Sequence, residues 1–297
     1  MQLINGKALA LEVRTGIRAK VEERKARGHK APHLSAILVG DDPASHTYVN
    51  NKIKACQEAG FESSLFLFDT SITQEELLAK IKEVNESEII DGLIVQLPLP
   101  KHIDVPEVIF AIDPYKDVDG FHPVNVGRMA KGLNTFTPAT PYGVLKILEH
   151  YKIDTTGKHC VVVGRSQIVG SPMSVLMARD AREGEPGNAT VTLCHRYTEN
   201  LEKYTREADI LITAVGKPGF IKADMVKEGA VVIDVGTTRI EDSSRKSGFR
   251  LSGDVDFENV KEKCSFITPV PGGVGPMTIA CLLLNTLLAV ELHEKGA

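Results

Sequence analysis

Tyr48 and Lys52 stand four residues apart in a stretch whose apolar positions are Val49, Ile53 and Cys56. On a helix the two share one face, beside the buried stripe. A lysine placed there can lose part of its hydration, which lowers its pKa and suits it to proton transfer, while a tyrosine ring offers a stacking surface for a flat heterocycle. The same spacing also describes a solvated surface pair. Gln96 ends an apolar run just ahead of Leu97-Pro98-Leu99-Pro100, whose prolines turn the chain out of a sheet. Its neutral amide can hydrogen-bond Lys52 or a ligand, or satisfy nearby backbone groups. Asp117-Val118-Asp119-Gly120 can present the Asp119 carboxylate to the donor edge of a heterocycle, form a turn, or begin a metal loop. The further ligands of an EF-hand loop are missing, and no metal site is expected.

A second group of residues suits a phosphorylated ligand. The run from Gly164-Arg165-Ser166 through Val169-Gly170 to Pro172 follows four apolar residues and opens a helical stretch, where unbonded backbone N–H groups and the helix dipole favour a pyrophosphate. Its spacing, GxSxxxG, departs from GxGxxG, and an ordinary tight turn between strand and helix has the same outline. Where an NAD site often ends its next strand with an acid for the ribose hydroxyls, this chain has Cys194-His195-Arg196-Tyr197-Thr198. Arg196, with Arg165, suits the 2′-phosphate of NADP; otherwise Arg196 is a solvated loop cation. The loops containing Gly216 and Thr237 follow two later strands and suit nicotinamide and ribose, or are only turns. Pro271, Gly272, Gly273, Gly275 and Pro276, within residues 269–278, mix rigid and permissive backbone. Such a loop can approach a ligand closely, or merely return the last helix to the first part of the chain.

The elements that must hold these residues alternate. Leu9, Val13, Ile17 and Val21 recur every fourth residue, predicting a first helix stopped by Gly28. Strands are expected at residues 34–39, 61–68 and 92–97, with helices from Pro43 to Ala59 and after a capping box at Thr73 and Glu76. Thr140 and Pro141 read as the N-cap and first residue of a helix ending at His150. A second series follows, with strands at 160–163, 190–193, 210–213 and 231–234 and a helix at 169–181. Short apolar strands separated by helices predict an α/β protein with doubly wound parallel sheets and ligands at the strand C-terminal ends.

At 297 residues the chain can hold two domains. A net charge of −4 supplies no broad basic field, so a nucleic-acid partner is not expected. The five cysteines form no CxxC pair and read as reduced core residues. No signal peptide is visible and residues 279–290 are short for a membrane span, so a cytoplasmic protein with no membrane contact is expected.

Taken together, Tyr48 to Lys52, Val95 to Pro100, Asp117 to Gly120, the Gly164 loop and Pro269 to Thr278 resemble the bifunctional methylenetetrahydrofolate dehydrogenase/methenyltetrahydrofolate cyclohydrolase (FolD) family over almost the whole chain. The resemblance implies an N-terminal α/β catalytic domain at residues 1–140, to which a last helix at 276–297 returns. A C-terminal Rossmann-like NAD(P)-binding domain at 141–275, an active cleft between the domains and a homodimer through the nucleotide domains are implied as well. It implies oxidation of 5,10-methylenetetrahydrofolate with NADP, NAD being the other option, followed by hydrolysis to 10-formyltetrahydrofolate in one-carbon metabolism. By the same resemblance Lys52, Tyr48, Gln96 and Asp119 are the catalytic residues: Lys52 moves the proton, Gln96 orients it, Tyr48 stacks on the folate and Asp119 anchors the pterin. Leu97, Pro98 and the 271–276 loop also meet substrate; Gly164, Arg165, Ser166, Val169, Gly170, Pro172, His195, Arg196, Gly216 and Thr237 meet cofactor.

Two departures from relatives matter, at Ala139 and Arg196, with Thr237 and Asn188 beside them. Ala139 replaces a frequent cysteine, with little catalytic consequence expected. Thr237 stands where isoleucine is common. Arg196 replaces a serine of NADP-using relatives and resembles a mitochondrial NAD-using branch, in which an arginine pair holds phosphate with magnesium. Asn188 replaces that branch's metal-assisting aspartate, so magnesium dependence is not expected. A shikimate dehydrogenase-like protein shares the architecture, but Tyr48, Lys52 and Gln96 argue against it. The residues are also compatible with a non-catalytic nucleotide sensor or a monofunctional dehydrogenase. Retention of Lys52 weighs against the sensor, and the hydrolytic step depends on positioning around Lys52.

Overall fold

The computed structural model describes residues 1–245 and 248–294. In chain order the strands are β1 (Gln2–Leu3), β2 (His33–Val39), β3 (Glu62–Phe68), β4 (Gly92–Val95), β5 (His159–Val163), β6 (Thr190–Cys194), β7 (Ile210–Thr213), β8 (Val231–Asp234), β9 (Thr238–Glu241), β10 (Phe249–Ser252) and β11 (Phe266–Ile267). The helices are α1 (Gly6–Ala26), α2 (Pro43–Glu58), α3 (Gln74–Glu86), α4 (Val105–Ala111), α5 (Pro123–Ala130), α6 (Ala139–His150), α7 (Gly170–Ala178), α8 (Leu201–Thr205), α9 (Phe257–Val260) and α10 (Val274–Glu294). The chain divides into two compact units, Leu11–Ala139 with Ile279–Ala297, and Met1–Ala10 with Thr140–Thr278. The first ten residues thus cluster with the later unit, whereas the sequence placed them in the first domain. The cause is β1, which pairs in parallel with β11 and was too short to carry a pattern. The last three residues of the helix expected at 276–297 lie outside the described residues.

The earlier unit is built on a three-stranded parallel sheet in the order β3-β2-β4. Strand β2 is buried almost throughout, which explains its unbroken apolar run. Helix α2 starts where Asp42 accepts the Ser45 N–H at 2.8 Å with Pro43 following. It presses Val49, Ala55 and Cys56 into a core shared with Ile17, Val21, Leu282, Leu283 and Leu287. The capping box of α3 forms as expected, and Leu77, Ile81 and Val84 fill the sheet's other side. Helices α4 and α5 were not anticipated; each has a proline in its first turn and too few residues to show a period.

The later unit holds a six-stranded parallel sheet in the order β1-β11-β8-β7-β5-β6, with a separate antiparallel hairpin of β9 and β10. Several boundaries differ from the sequence reading. Helix α6 begins at Ala139, so Thr140 lies inside it and its hydroxyl meets that of Thr278 at 3.1 Å instead of capping. Helix α7 stops at Ala178 because the Asn188 amide bonds both backbone groups of Ala181 and holds that segment as a loop. Strand β4 ends at Val95; Gln96 still donates its N–H to Ile37 at 2.9 Å, after which the chain leaves the sheet.

Helix α10 has 21 residues, longer than the apolar segment 279–290 weighed against a membrane span, and by length and composition alone it could cross a membrane. It is packed as a core helix, with Leu282, Leu283, Leu287 and Ala289 buried. Burial also pushes the Cys56 and Cys160 thiols up to about 12, which keeps them protonated and inert.

Within the earlier unit Asn285 of α10 donates to the carbonyls of Val118 and Thr137, both at 2.8 Å, and is almost fully buried. Replacing it by leucine strands one buried and one part-buried acceptor, each worth up to roughly 1–3 kcal/mol. Asn285→Leu is therefore expected to lower unfolding stability by about 2–4 kcal/mol; a change within about 0.5 kcal/mol in denaturant titration would show that these bonds do not hold α10.

Candidate functional site

In the earlier unit Lys52, Gln96 and Asp119 come together, with Tyr48 one turn before Lys52 on the same helix. Lys52 is buried on the face of α2 next to Val49 and Cys56, and its Nζ donates to Gln96 Oε1 at 3.1 Å. Gln96 is oriented by its own Nε2, which donates to the Leu97 carbonyl at 2.7 Å, so the amide oxygen is the atom presented to the lysine. Tyr48, one turn before Lys52, is partly exposed, and desolvation raises its pKa. Asp119 is half-buried; desolvation raises its pKa and the Lys52 charge opposes that rise. Leu97 and Asp119 line one small pocket with Ile109 and Phe121. Pro98, exposed, follows a cis Leu97–Pro98 peptide.

The two acids of the DVDG segment have different surroundings. Asp117 is fully buried; its carboxylate accepts the N–H of Phe121 at 3.2 Å, the N–H of His122 at 2.8 Å and the Asn125 amide at 2.8 Å. Burial, aided by the nearby Asp119 charge and opposed by these bonds, pushes Asp117 up to about 7. It folds the loop that carries Asp119, and the DxDG spacing did not distinguish the two acids.

Among the described residues, the two buried lysines differ as well. Lys116 donates to the carbonyls of Val84 and Ser87 at 3.0 and 2.5 Å, and burial lowers its pKa. It is tied to backbone, whereas Lys52 meets a side-chain amide at the end of a strand.

In the later unit the loop after β5 is shaped by backbone crowding. Gly164 has φ +113°, and a Cβ there would lie 2.3 Å from the Ala214 oxygen, while a Cβ on Gly170 would lie 1.8 Å from the Gly164 oxygen. Only glycine permits such approaches. Ser166 Oγ accepts the Val169 N–H at 3.2 Å, and Gly170 and Pro172 begin α7, both buried. Arg165 and Arg196 come to one place, their guanidinium carbons 5.7 and 4.7 Å from the centre of the exposed Tyr197 ring. The His195 N–H donates to Thr198 Oγ1 at 2.8 Å and folds the turn carrying Arg196. Gly216 follows β7 and Thr237 precedes β9, both exposed. The crowded glycines and the converging cations fit a dinucleotide: the first bring backbone close to a pyrophosphate, the second suits a further phosphate.

The 269–278 loop belongs to this later unit. A Cβ on Gly6 would lie 1.8 Å from the Gly273 oxygen, and Lys7 donates its N–H to Gly272 at 3.0 Å. The Val270–Pro271 peptide is cis, and Gly275 and Pro276 lie in the first turn of α10. Asp254 was not found in the sequence, and Asp234 was read only as the start of the loop after its strand; both are buried acids beside the cofactor loops, and the signal for Asp254 was the short Gly253-Asp254-Val255 run.

Fold and site together define an α/β enzyme with a dinucleotide-binding unit and a second unit carrying a buried lysine. Residues 4–119 match the model of the tetrahydrofolate dehydrogenase/cyclohydrolase catalytic domain, and residues 138–294 that of its NAD(P)-binding domain. The chain belongs to the tetrahydrofolate dehydrogenase/cyclohydrolase family and is an enzyme with a dehydrogenase and a cyclohydrolase activity. It is 60% identical over 294 residues to the bifunctional protein FolD of Flavobacterium johnsoniae, covering 99% of each chain. Among solved structures, the bifunctional FolD enzyme of Campylobacter jejuni is similar at 46% identity and a TM-score of 0.91, over 99% of each chain. The FolD of Trypanosoma brucei, solved with NADP and an inhibitor, is similar at 37% identity and a TM-score of 0.92, over 99% of this chain and 98% of that one. Family membership decides against the shikimate dehydrogenase-like reading.

The raised pKa of Asp117 gives a sign that can be checked. A carboxyl whose folded pKa lies above its unfolded value contributes stability that is complete below about pH 4 and is lost as pH rises through about 7. The stability cost of Asp117→Asn, which loses one acceptor, is therefore expected to shrink from pH 4 to pH 7 in denaturant titrations. A cost that grows across that window would mean that the acid is held ionised.

Proposed function

We propose that the chain oxidises 5,10-methylenetetrahydrofolate to the 5,10-methenyl cation with NADP, NAD being the cofactor to compare, and hydrolyses that cation to 10-formyltetrahydrofolate. The bound dinucleotide supplies the hydride acceptor. Gly164, Arg165, Ser166, Val169, Gly170 and Pro172 hold its pyrophosphate, His195 and Arg196 its adenosine end, and Gly216 and Thr237 its nicotinamide end. The two guanidiniums on Tyr197 support NADP, because a 2′-phosphate takes paired charge-assisted hydrogen bonds that a ribose hydroxyl does not.

In the earlier unit the Asp119 carboxylate accepts from the N–H edge of the pterin, Tyr48 stacks on the ring, and Leu97 and Pro98 line its path. Pro271, Gly272, Gly273, Gly275 and Pro276 meet the substrate through backbone. Hydration forms a C–O bond between water and the methenyl carbon and breaks that carbon's bond to N5; one water proton ends on N5 and the other leaves to solvent. Lys52 Nζ is the atom that moves a proton in this step. The observation that carries the reading is the Lys52–Gln96 bond at 3.1 Å, which holds a buried Nζ toward a neutral amide beside Asp119.

The reaction belongs to one-carbon metabolism, and we assign it to the cytoplasm, where the buried reduced thiols are at home. We assign a homodimer through the nucleotide-binding unit, whose sheet ends in the edge strand β6 and which exposes Val175 on α7. No metal is assigned: Asn188, at the position considered for metal assistance, spends its amide on Ala181.

Lys52→Ala is expected to slow hydration of supplied 5,10-methenyltetrahydrofolate by at least about 100-fold, the usual scale of a lost general acid–base group, while NADPH affinity changes less than about twofold. Hydration at the wild-type rate would remove Lys52 from the mechanism.

A further inference from the structure

The segments that carry Gly216 and Thr237 rest on two buried carboxylates whose donors are mostly backbone. Asp254 is fully buried and accepts the Val215 N–H on one oxygen at 2.6 Å and the Lys217 N–H on the other at 2.8 Å. Those two residues bracket Gly216. Asp234, at the end of β8, accepts the N–H groups of Gly236 at 2.9 Å and Asp254 at 3.0 Å on one oxygen and that of Val255 at 2.9 Å on the other. The Thr213 hydroxyl adds a bond of 3.3 Å.

The packing leaves no room for substitution. A Cβ on Gly236, the residue before Thr237, would lie 2.2 Å from the Asp254 carboxyl carbon, and one on Gly253 would lie 2.0 Å from an Asp234 oxygen. Both loops therefore lie backbone-first on the acids. Burying two carboxylates side by side is costly; burial, with the Asp254 charge adding to it, pushes Asp234 up to about 6. An isolated turn can be closed with a neutral Asn or Ser side chain at lower cost. What two oxygens of one carboxylate add is a fixed spacing between the Val215 and Lys217 amides, with a wall for Gly236 behind them.

We propose that Asp254 is a positioning residue for the dinucleotide: it sets the backbone of the Gly216 and Thr237 loops together, so that both meet the nicotinamide end in one geometry. This rests on the assignment of NAD(P) to the later unit. Asp254 acts through those loops without touching the cofactor, and it takes no part in hydration.

The test uses full-length Asp254→Asn, which keeps one acceptor oxygen and turns an amide NH2 toward the other backbone N–H. The dissociation constant of NADPH, read from its own fluorescence, is expected to rise at least tenfold. KM for NADP should rise with it while kcat moves less, and hydration of supplied 5,10-methenyltetrahydrofolate should stay within twofold. Hydration serves as the internal control for folding. A variant that hydrates normally and binds NADPH with an unchanged constant overturns the proposal. Should that variant lose hydration too, Gly236→Ala, which drives a methyl group into the same carboxylate, decides: unchanged NADPH affinity again overturns it, and a tenfold loss with normal hydration supports it. A wild-type protein that binds neither NADPH nor NADP would instead overturn the cofactor reading, and the proposal with it.

Discussion

A buried ammonium group must find acceptors, and which acceptors it finds decides what it can do. Lys116 takes two backbone carbonyls and becomes part of the scaffold. Lys52 meets the oxygen of Gln96, an amide held in one orientation by its bond to Leu97. A carboxylate in place of that amide would fix the lysine as half of an ion pair, whereas the neutral oxygen orients Nζ and leaves proton exchange accessible. The surrounding structure follows from this requirement. Helix α2 needs its cap and its Val49–Cys56 stripe to present Lys52, β4 must end where Gln96 can turn outward, and Asp117 must fold the loop that brings Asp119 close enough for the two charges to interact.

Both units solve the placement of ligand groups alike. In the earlier unit β2 lies between β3 and β4, and in the later one β5 lies between β6 and β7. In each, the chain leaves the central strand to one side and returns to a strand on its other side, which opens a gap at the strand C-terminal ends. Gln96 follows β4 at one such point, and the Gly164 and Gly216 loops follow β5 and β7 at the other. Polar groups accumulate there because strand-end amides have no further sheet partner, and side chains such as Asp254 and Ser166 supply the acceptors.

The alternation of apolar strands and helices was readable because buried parallel strands are continuously apolar and α2 and α3 carry caps of recognisable chemistry. The meeting of Lys52 with Gln96 was readable for a different reason: helical spacing puts Lys52 beside the buried stripe, and a proline-terminated strand places Gln96. Short elements escaped. Strand β1 has two residues, α4 and α5 lack a full period, and the hairpin of β9 and β10 alternates too weakly with half-exposed positions. Asp254 escaped because its role lies in bonds to backbone distant in sequence, for which composition holds no sign. Asn285 and Thr286 looked like interruptions of the apolar segment 279–290; Asn285 instead satisfies two carbonyls and Thr286 bonds back to Leu282.

Coupled turnover of 5,10-methylenetetrahydrofolate, run in parallel with NADP and NAD and read at the absorbances of reduced cofactor and methenyl cation, tests the pairing of the two activities most directly. Reduced cofactor forming faster with NADP, with only a small and transient methenyl signal, is the predicted result. Methenyl cation that accumulates in step with reduced cofactor would contradict a hydrolytic role for Lys52, and no reduced cofactor with either dinucleotide would contradict the enzyme reading altogether.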